Sequence, residues 1–272
     1  MKNLIIAILG LIIITACGPK TVNEYGLNRN VESFTVKAYE VVSKFGKYTK
    51  GEINTNYNYR DVNCIYEFTE EGYLKSKSEL DIYDGEFTGD IDGKDIYNYD
   101  ADGRMVSEYS YSSSGDLIYY RTYEYDNNGN CITVKFFDDD NSLSCTHTNI
   151  YDDNNKIIKH IHNDEPDMLI DEMWECDYEM TYVYDDNGNV IKHIIHNFKT
   201  ISQEESTYEE EVHNNIIETI ETNEYGLASR ITSGIDSYTF EYTYDRYAGN
   251  WISMTIYKNS IPVSIIEREI TY

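Results

Sequence analysis

The stretch YEYDNNGN, residues 123–130, decides the fold, because it recurs along the chain as YVYDDNGN (182–189), YNYDADGR (97–104) and, with one insertion, YTYDRYAGN (242–250). Tyr at i and i+2 lie on one face of an extended strand. The Asp that follows is suited to hydrogen-bond its own backbone two residues on and to open a type I turn. Gly three residues after that Asp takes the positive φ that closes a hairpin with a bulge. The repeat turns are therefore set by Asp100 with Gly103, Asp126 with Gly129, Asp185 with Gly188, and Asp245 with Gly249.

Weaker copies stand at 66–73, 109–116 and 151–158, and in the last Asn155 takes the Gly position, the next-best residue there. YDDNNKIIKH (151–160) aligns with YDDNGNVIKH (184–193) at an offset of 33 residues. Turns beginning at Asp100, Ser112, Asp126, Asp138 and Asp152 are 12 to 14 residues apart. That leaves strands of about 8 to 10 residues and no room for crossover helices, so the pairing is antiparallel. Further turns are expected near Gly72, Gly85, Gly93, Asp164 to Pro166, Asn214, Gly226, Gly234 and Asn259. Val31 to Phe45 fits both helical and strand spacing, and its β-branched content favours a strand. The expected fold is all-β, an antiparallel meander of repeated hairpins forming a large curved or partly closed sheet.

Composition narrows the function. With 22 Lys+Arg against 49 Asp+Glu and a net charge of −27, the chain is a poor partner for nucleic acid or an anionic lipid surface. It is not simply disordered, because 40% of its residues are hydrophobic and 14% aromatic.

The first residues, MKNLIIAILGLIIITAC, combine a positive Lys2 with an apolar run over residues 4–14. That run is short of the roughly 20 residues a membrane span takes, and it reads as a secretory leader. Thr15-Ala16-Cys17-Gly18 resembles the lipobox of bacterial lipoproteins. The resemblance implies cleavage before Cys17, a covalent lipid on that residue in place of any other cofactor, and anchoring at about 0.8 kcal/mol per buried methylene. Gly18 stands where some diderm bacteria place an inner-membrane retention Asp, which points to an outer-membrane lipoprotein, its periplasmic or surface face left open. The organisation expected is a signal peptide at 1–16, a tether at 17–30 and a β domain at 31–272.

The YxYDxxGN pattern resembles the YD repeats of the RHS family, and in particular small Bacteroidetes-type lipoproteins built from degenerate copies. The segment 244–272 resembles their closing unit. The resemblance covers most of 63–272, departs most at 138–163 and 204–236, and brings no catalytic residue.

Tyrosine is the dominant aromatic, 28 against 8 Phe and 2 Trp. Tyr109 and Tyr111 share a strand face, as do Tyr119, Tyr123 and Tyr125. Cross-strand Tyr ladders replace part of an aliphatic core, and the same residues are candidate contacts for a protein or glycan ligand. Asp126, Asn128 and Asn130, like Asp185, Asn187 and Asn189, share the spacing of the first half of a calcium loop. The bidentate Glu is missing, with Phe137 and His196 in its place, so these residues are read as turns. His160 with His162 and His193 with His196 follow aligned turns, a geometry that can bring His160 near His193, and imidazoles there can hold zinc or nickel. They are read as half-exposed strand residues, and no metal site is assigned.

Beyond Cys17, Cys64, Cys131, Cys145 and Cys176 allow three disulfide connectivities, of which Cys131–Cys145 is the most plausible single bridge. No GxSxG, P-loop, HExxH or CxxC is present. The expected function is a non-catalytic envelope binding or scaffold module; the alternatives are an immunity protein against a toxin and an envelope hydrolase.

Overall fold

The computed structural model describes residues 20–27, 31–55, 62–164, 178–186, 188, 190–196, 198–204, 207–213, 216–225, 227–246 and 249–272. The leader with Cys17, Cys176, and the turns expected at Pro166, Asn214 and Gly226 lie outside them.

The described residues form strands and turns without helix. The strands are β1 (Ser33–Lys44), β2 (Lys47–Ile53), β3 (Cys64–Phe68), β4 (Leu74–Tyr83), β5 (Glu86–Tyr99) and β6 (Met105–Ser112). Then come β7 (Leu117–Tyr125), β8 (Cys131–Asp138), β9 (Leu143–Tyr151), β10 (Ile157–Asp164), β11 (Tyr178–Tyr184) and β12 (Val190–His196). The last are β13 (Phe198–Glu204), β14 (Thr207–His213), β15 (Ile216–Thr222), β16 (Ala228–Ser233), β17 (Asp236–Tyr244), β18 (Trp251–Lys258) and β19 (Ile261–Thr271). The fold is the antiparallel hairpin meander that the repeats specify.

Two kinds of turn recur among the described residues. At Asp100 the N–H of Gly103 donates to the Asp100 carbonyl (3.1 Å), the Asp100 N–H donates to Arg104 O (2.9 Å), and Gly103 has φ +78°. Asp100 Oδ1 accepts from the N–H groups of Asp102 (3.0 Å) and Arg104 (2.9 Å), so the side chain fixes the turn from within. The same pattern recurs at Asp126, where Oδ1 accepts from Asn128 and Asn130, and at Asp152, where it accepts from Asn154 and Lys156. Ser112 and Asp138 close theirs with Gly115 and Asn141. The tighter turns Phe45-Gly46, Asp84-Gly85 and Asn259-Ser260 have two consecutive positive φ values, as hairpins with a two-residue loop require.

The turn expected near Gly93 does not exist. Gly93 is an interior residue of β5, paired with both Glu79 and Ser112, and the chain turns only at Asp84-Gly85. Asp92-Gly93 has the composition of a turn, but here it accommodates a register shift of the β4–β5 pair between Glu79 and Leu80.

The described residues group into two compact units, one from those up to Leu117 with Glu221–Ile231 and Asp236–Tyr272, the other from Ile118–Ile220 with Thr232–Ile235. In the first, β1 is the hub. Its Ser33–Tyr39 pairs with β19, its Ser33–Val36 with β3, and, past a bulge, its Val41–Lys44 with β2. Strands β3 to β6 and β17 to β19 follow as successive antiparallel neighbours. Phe34, Val36 and Ala38 are buried at every second position, the strand period expected for this segment.

The core of this unit includes an aromatic cluster. Phe34 stacks on Tyr66 with ring centroids 4.6 Å apart, and Tyr25 packs on both. The Arg268 guanidinium lies 3.4 Å from the centre of the Trp251 ring, while its Nη1 donates to Tyr25 O at 2.6 Å. Residues 20–27, within the segment expected as a tether, pack into this unit. Val22, Tyr25 and Leu27 are buried, and burying such side chains stabilises by about 1.5–3 kcal/mol each.

In the second unit β7 to β12 pair in sequence, β15 joins β12, and β13 and β14 form a separate hairpin. Residues directly opposite share a face, so the register defines one face of this ladder. On it Tyr123 opposes Val134, Val134 opposes His147, His147 opposes His162, and His162 opposes Tyr178.

Candidate functional site

The repeat tyrosines take a role that neither sequence reading stated. The Oη of Tyr151, just before the Asp152 turn, donates to the carbonyl of Cys131, the first residue of β8 (2.9 Å). Tyr184 Oη donates to Ile157 O at the start of β10 (2.6 Å). In the first unit Tyr99 does the same to Leu74 O at the start of β4 (2.9 Å), and Tyr242 to Ala228 O at the start of β16 (2.9 Å). Each hydroxyl satisfies the carbonyl of the first residue of a strand, and at Leu74, Cys131 and Ile157 a bulge lies beside it. Burial, with the Asp152 charge second, raises the Tyr184 pKa to about 12, so its hydroxyl keeps its donor proton.

The five tyrosines proposed as ligand contacts have different surroundings. Tyr123 is only 8% exposed and belongs to the core, so it is no surface contact. Tyr119 and Tyr125, on the same face of β7, are half-buried. In the first unit Tyr109 and Tyr111 are half-buried on β6, directly opposite Ile96, which is 38% exposed, and half-buried Lys94. The other face of these strands holds buried Asp95, Tyr97, Glu108 and Ser110.

Cys131 and Cys145 do not form the expected bridge. The β8–β9 register places Cys145 opposite Phe136 and Thr133 opposite Thr148, so Cys131 lies five positions along the ladder from Cys145. At about 3.3 Å per residue that separation is far beyond disulfide reach. Sequence adjacency of the strands concealed this, because the short turn fixes the register from its own end.

The histidines pair otherwise than the aligned turns imply. His160 opposes Met180, and His193 opposes Tyr182 and Glu218, so His160 and His193 are not neighbours. His193 Nε2 lies 2.6 Å from Glu218 Oε2, with both side chains 0% exposed. His160 and His162 instead meet His147, which the repeat pattern did not single out. His162 Nδ1 is 2.6 Å from His147 Nε2, and Cys145 Sγ is 3.9 Å from the same nitrogen.

His160 Nδ1 is 2.8 Å from Asn149 Oδ1, and its ring meets His147 edge-on with centroids 4.9 Å apart. Tyr178 stacks on His162 (5.0 Å between centroids) and Phe136 packs on His147 (4.6 Å). Desolvation, followed by the charges of His160 and His162, lowers the His147 pKa to about 2; desolvation and His162 lower His160 to about 4. Both rings are therefore neutral at physiological pH, the form in which imidazole ligates.

The turn aspartates Asp100, Asp126 and Asp152 each spend Oδ1 on two backbone N–H groups of their own turn.

The sequence matches no protein-family model and no curated protein. Among solved structures, a porin-like protein from Bacteroides uniformis is 11% identical, with 89% of this chain and 96% of that one covered, at a TM-score of 0.49. A porin-like protein from Bacteroides vulgatus is 12% identical over 89% of this chain and 98% of its own, at a TM-score of 0.20. A TcdB2-TccC3-Cdc42 structure is 13% identical over 85% of this chain and 11% of the matched chain, at a TM-score of 0.24.

Proposed function

We propose that this chain is an acylated envelope lipoprotein, of the degenerate YD-repeat kind, whose β units act as a binding scaffold for a protein or glycan. The leader and the Thr15-Ala16-Cys17-Gly18 motif support anchoring through a lipid on Cys17, at the outer membrane. The observation that carries the binding role is the pair Tyr109 and Tyr111. Two positions apart on β6, they hold partly accessible rings beside exposed Ile96 and the Lys94 side chain. Rigid aromatic rings on a strand lose little conformational entropy on contact, and a π-face beside a cation suits both a sugar ring and a peptide.

Two measurements test this. Labelling cells with an alkyne-bearing fatty acid should tag the wild-type chain and leave Cys17→Ser untagged and released from the membrane. Glycan arrays and envelope pulldowns should retain wild type and lose the Tyr109→Ala/Tyr111→Ala double variant while its circular dichroism stays that of β-sheet. An untagged wild type contradicts the anchor, and full retention of a folded double variant contradicts the patch.

A further inference from the structure

In the second unit three metal-ligating side chains from two neighbouring strands converge, a group separate from the tyrosine pair just proposed as a ligand patch. Cys145 and His147 are two residues apart on β9 and project from the same face. His162 on β10 stands directly opposite His147. One ligand atom from each, the Cys145 sulfur and a ring nitrogen of His147 and of His162, lies within 4.8 Å of the others, and Cys145 and His162 are buried.

The donor set selects the ion class. A thiolate with two imidazoles favours zinc-like or softer ions and disfavours calcium and magnesium, which prefer oxygen. Zinc bonds of about 2.3 Å to sulfur and about 2.0–2.1 Å to nitrogen place tetrahedral ligand atoms roughly 3.3–3.6 Å apart. The separations here, 2.6 Å between the nitrogens and 3.9 Å from sulfur to nitrogen, bracket that range. Opening the nitrogen pair and drawing the sulfur inward take changes of roughly 1 Å, within reach of χ adjustments.

The rings are also held in place. Phe136 packs on His147 and Tyr178 stacks on His162, so neither imidazole must be ordered from a free rotor when an ion arrives. Behind them Asn149 fixes His160 against the edge of His147.

We propose that Cys145, His147 and His162 form a binding site for one zinc-class divalent ion, with the fourth coordination position left to water or a small exogenous ligand. The thiol proton is released on binding, so the ion is held by one thiolate and two neutral imidazoles.

The test uses the full mature chain, stripped by chelation and titrated with zinc against a chromophoric chelator, then with cobalt as a spectroscopic reporter. One ion per chain is expected, with a thiolate-to-cobalt charge-transfer band and the intense visible bands of a tetrahedral site. Cys145→Ser and His162→Gln should each weaken binding at least about tenfold, while Cys131→Ser and His196→Gln leave it unchanged. X-ray absorption of the zinc-loaded wild type needs no variant and should show one sulfur and two histidine nitrogens. A sulfur-free shell, or undiminished zinc affinity in Cys145→Ser, would overturn the assignment.

Discussion

Tyr151 Oη donates to the backbone carbonyl of Cys131 at 2.9 Å, fastening the end of β9 to the start of β8 beside the turn that precedes β8. Tyr99, Tyr184 and Tyr242 repeat the contact with Leu74, Ile157 and Ala228. The conspicuous tyrosines of the repeat are thus latches first. Removing the hydroxyl should cost about 0.5–1.5 kcal/mol at each site, the net worth of one hydrogen bond, with the ring left to pack. Urea unfolding of Tyr151→Phe and Tyr184→Phe should show lower midpoints at an unchanged slope. Wild-type midpoints in both would show that water satisfies these carbonyls equally well.

Gly103 and Gly129 occupy equivalent turn positions with φ of +78° and +85°, yet their surroundings differ. A Cβ on Gly129 meets nothing within 4 Å, whereas one on Gly103 would overlap the Tyr73 ring, which packs on Tyr99 at 5.0 Å. Gly129→Ala should cost about 1–2 kcal/mol from the left-handed backbone alone. Gly103→Ala should cost more, and a Tyr73→Ala background should remove the excess. Equal costs in the wild-type background would mean that Tyr73 swings aside freely.

The turn aspartates make stability depend on acid pH. The backbone N–H of Arg104 and then its guanidinium hold Asp100 below the usual carboxylate range, and the backbone N–H of Lys156 is the main cause at Asp152. A folded-state pKa below the unfolded one means that the unfolded chain binds more protons. The contribution is therefore present above about pH 4 and lost as pH falls through the folded values. The double variant Asp100→Asn/Asp152→Asn should lose less stability than wild type between about pH 5 and pH 3. Parallel pH profiles would remove these carboxylates from the acid response.

His193 and Glu218 form a fully buried pair at 2.6 Å across β12 and β15. Removing one partner strands the other, so Glu218→Ala should cost about 3–5 kcal/mol. Replacing both with apolar groups, as His193→Phe/Glu218→Leu, should recover most of that loss. Thermal or urea unfolding of the two variants checks this; a double variant no more stable than Glu218→Ala would assign the cost to packing.

What the sequence made legible was local. Asp, Asn and Gly write their turns within four residues, so the turns at Asp100, Ser112, Asp126, Asp138 and Asp152 could be placed from composition and spacing, and with them the antiparallel meander. For β1 the spacing fitted helix and strand alike, and β-branched content decided for the strand in which Phe34, Val36 and Ala38 are buried. Register was not legible, since it depends on where each bulge falls. A bulge between Phe136 and Phe137 helps set Cys145 opposite Phe136, and another between Ile157 and Lys159 precedes the pairing of His162 with His147. The sequence alignment at 33 residues therefore matched His160 to His193, whereas the ladder delivered His147 to His162. The tyrosine latches were hidden for the same reason, as their acceptors are backbone atoms 14 to 27 residues away.

The central functional claim is that Tyr109 and Tyr111 face a ligand in the envelope. Its most direct measurement is photo-crosslinking in intact cells with a photoreactive phenylalanine at position 109, and at the exposed hairpin residue Tyr83 as control. A discrete adduct to one envelope protein or glycan from position 109, absent from position 83, is the expected result. No adduct from 109, or the same adducts from both positions, would contradict it.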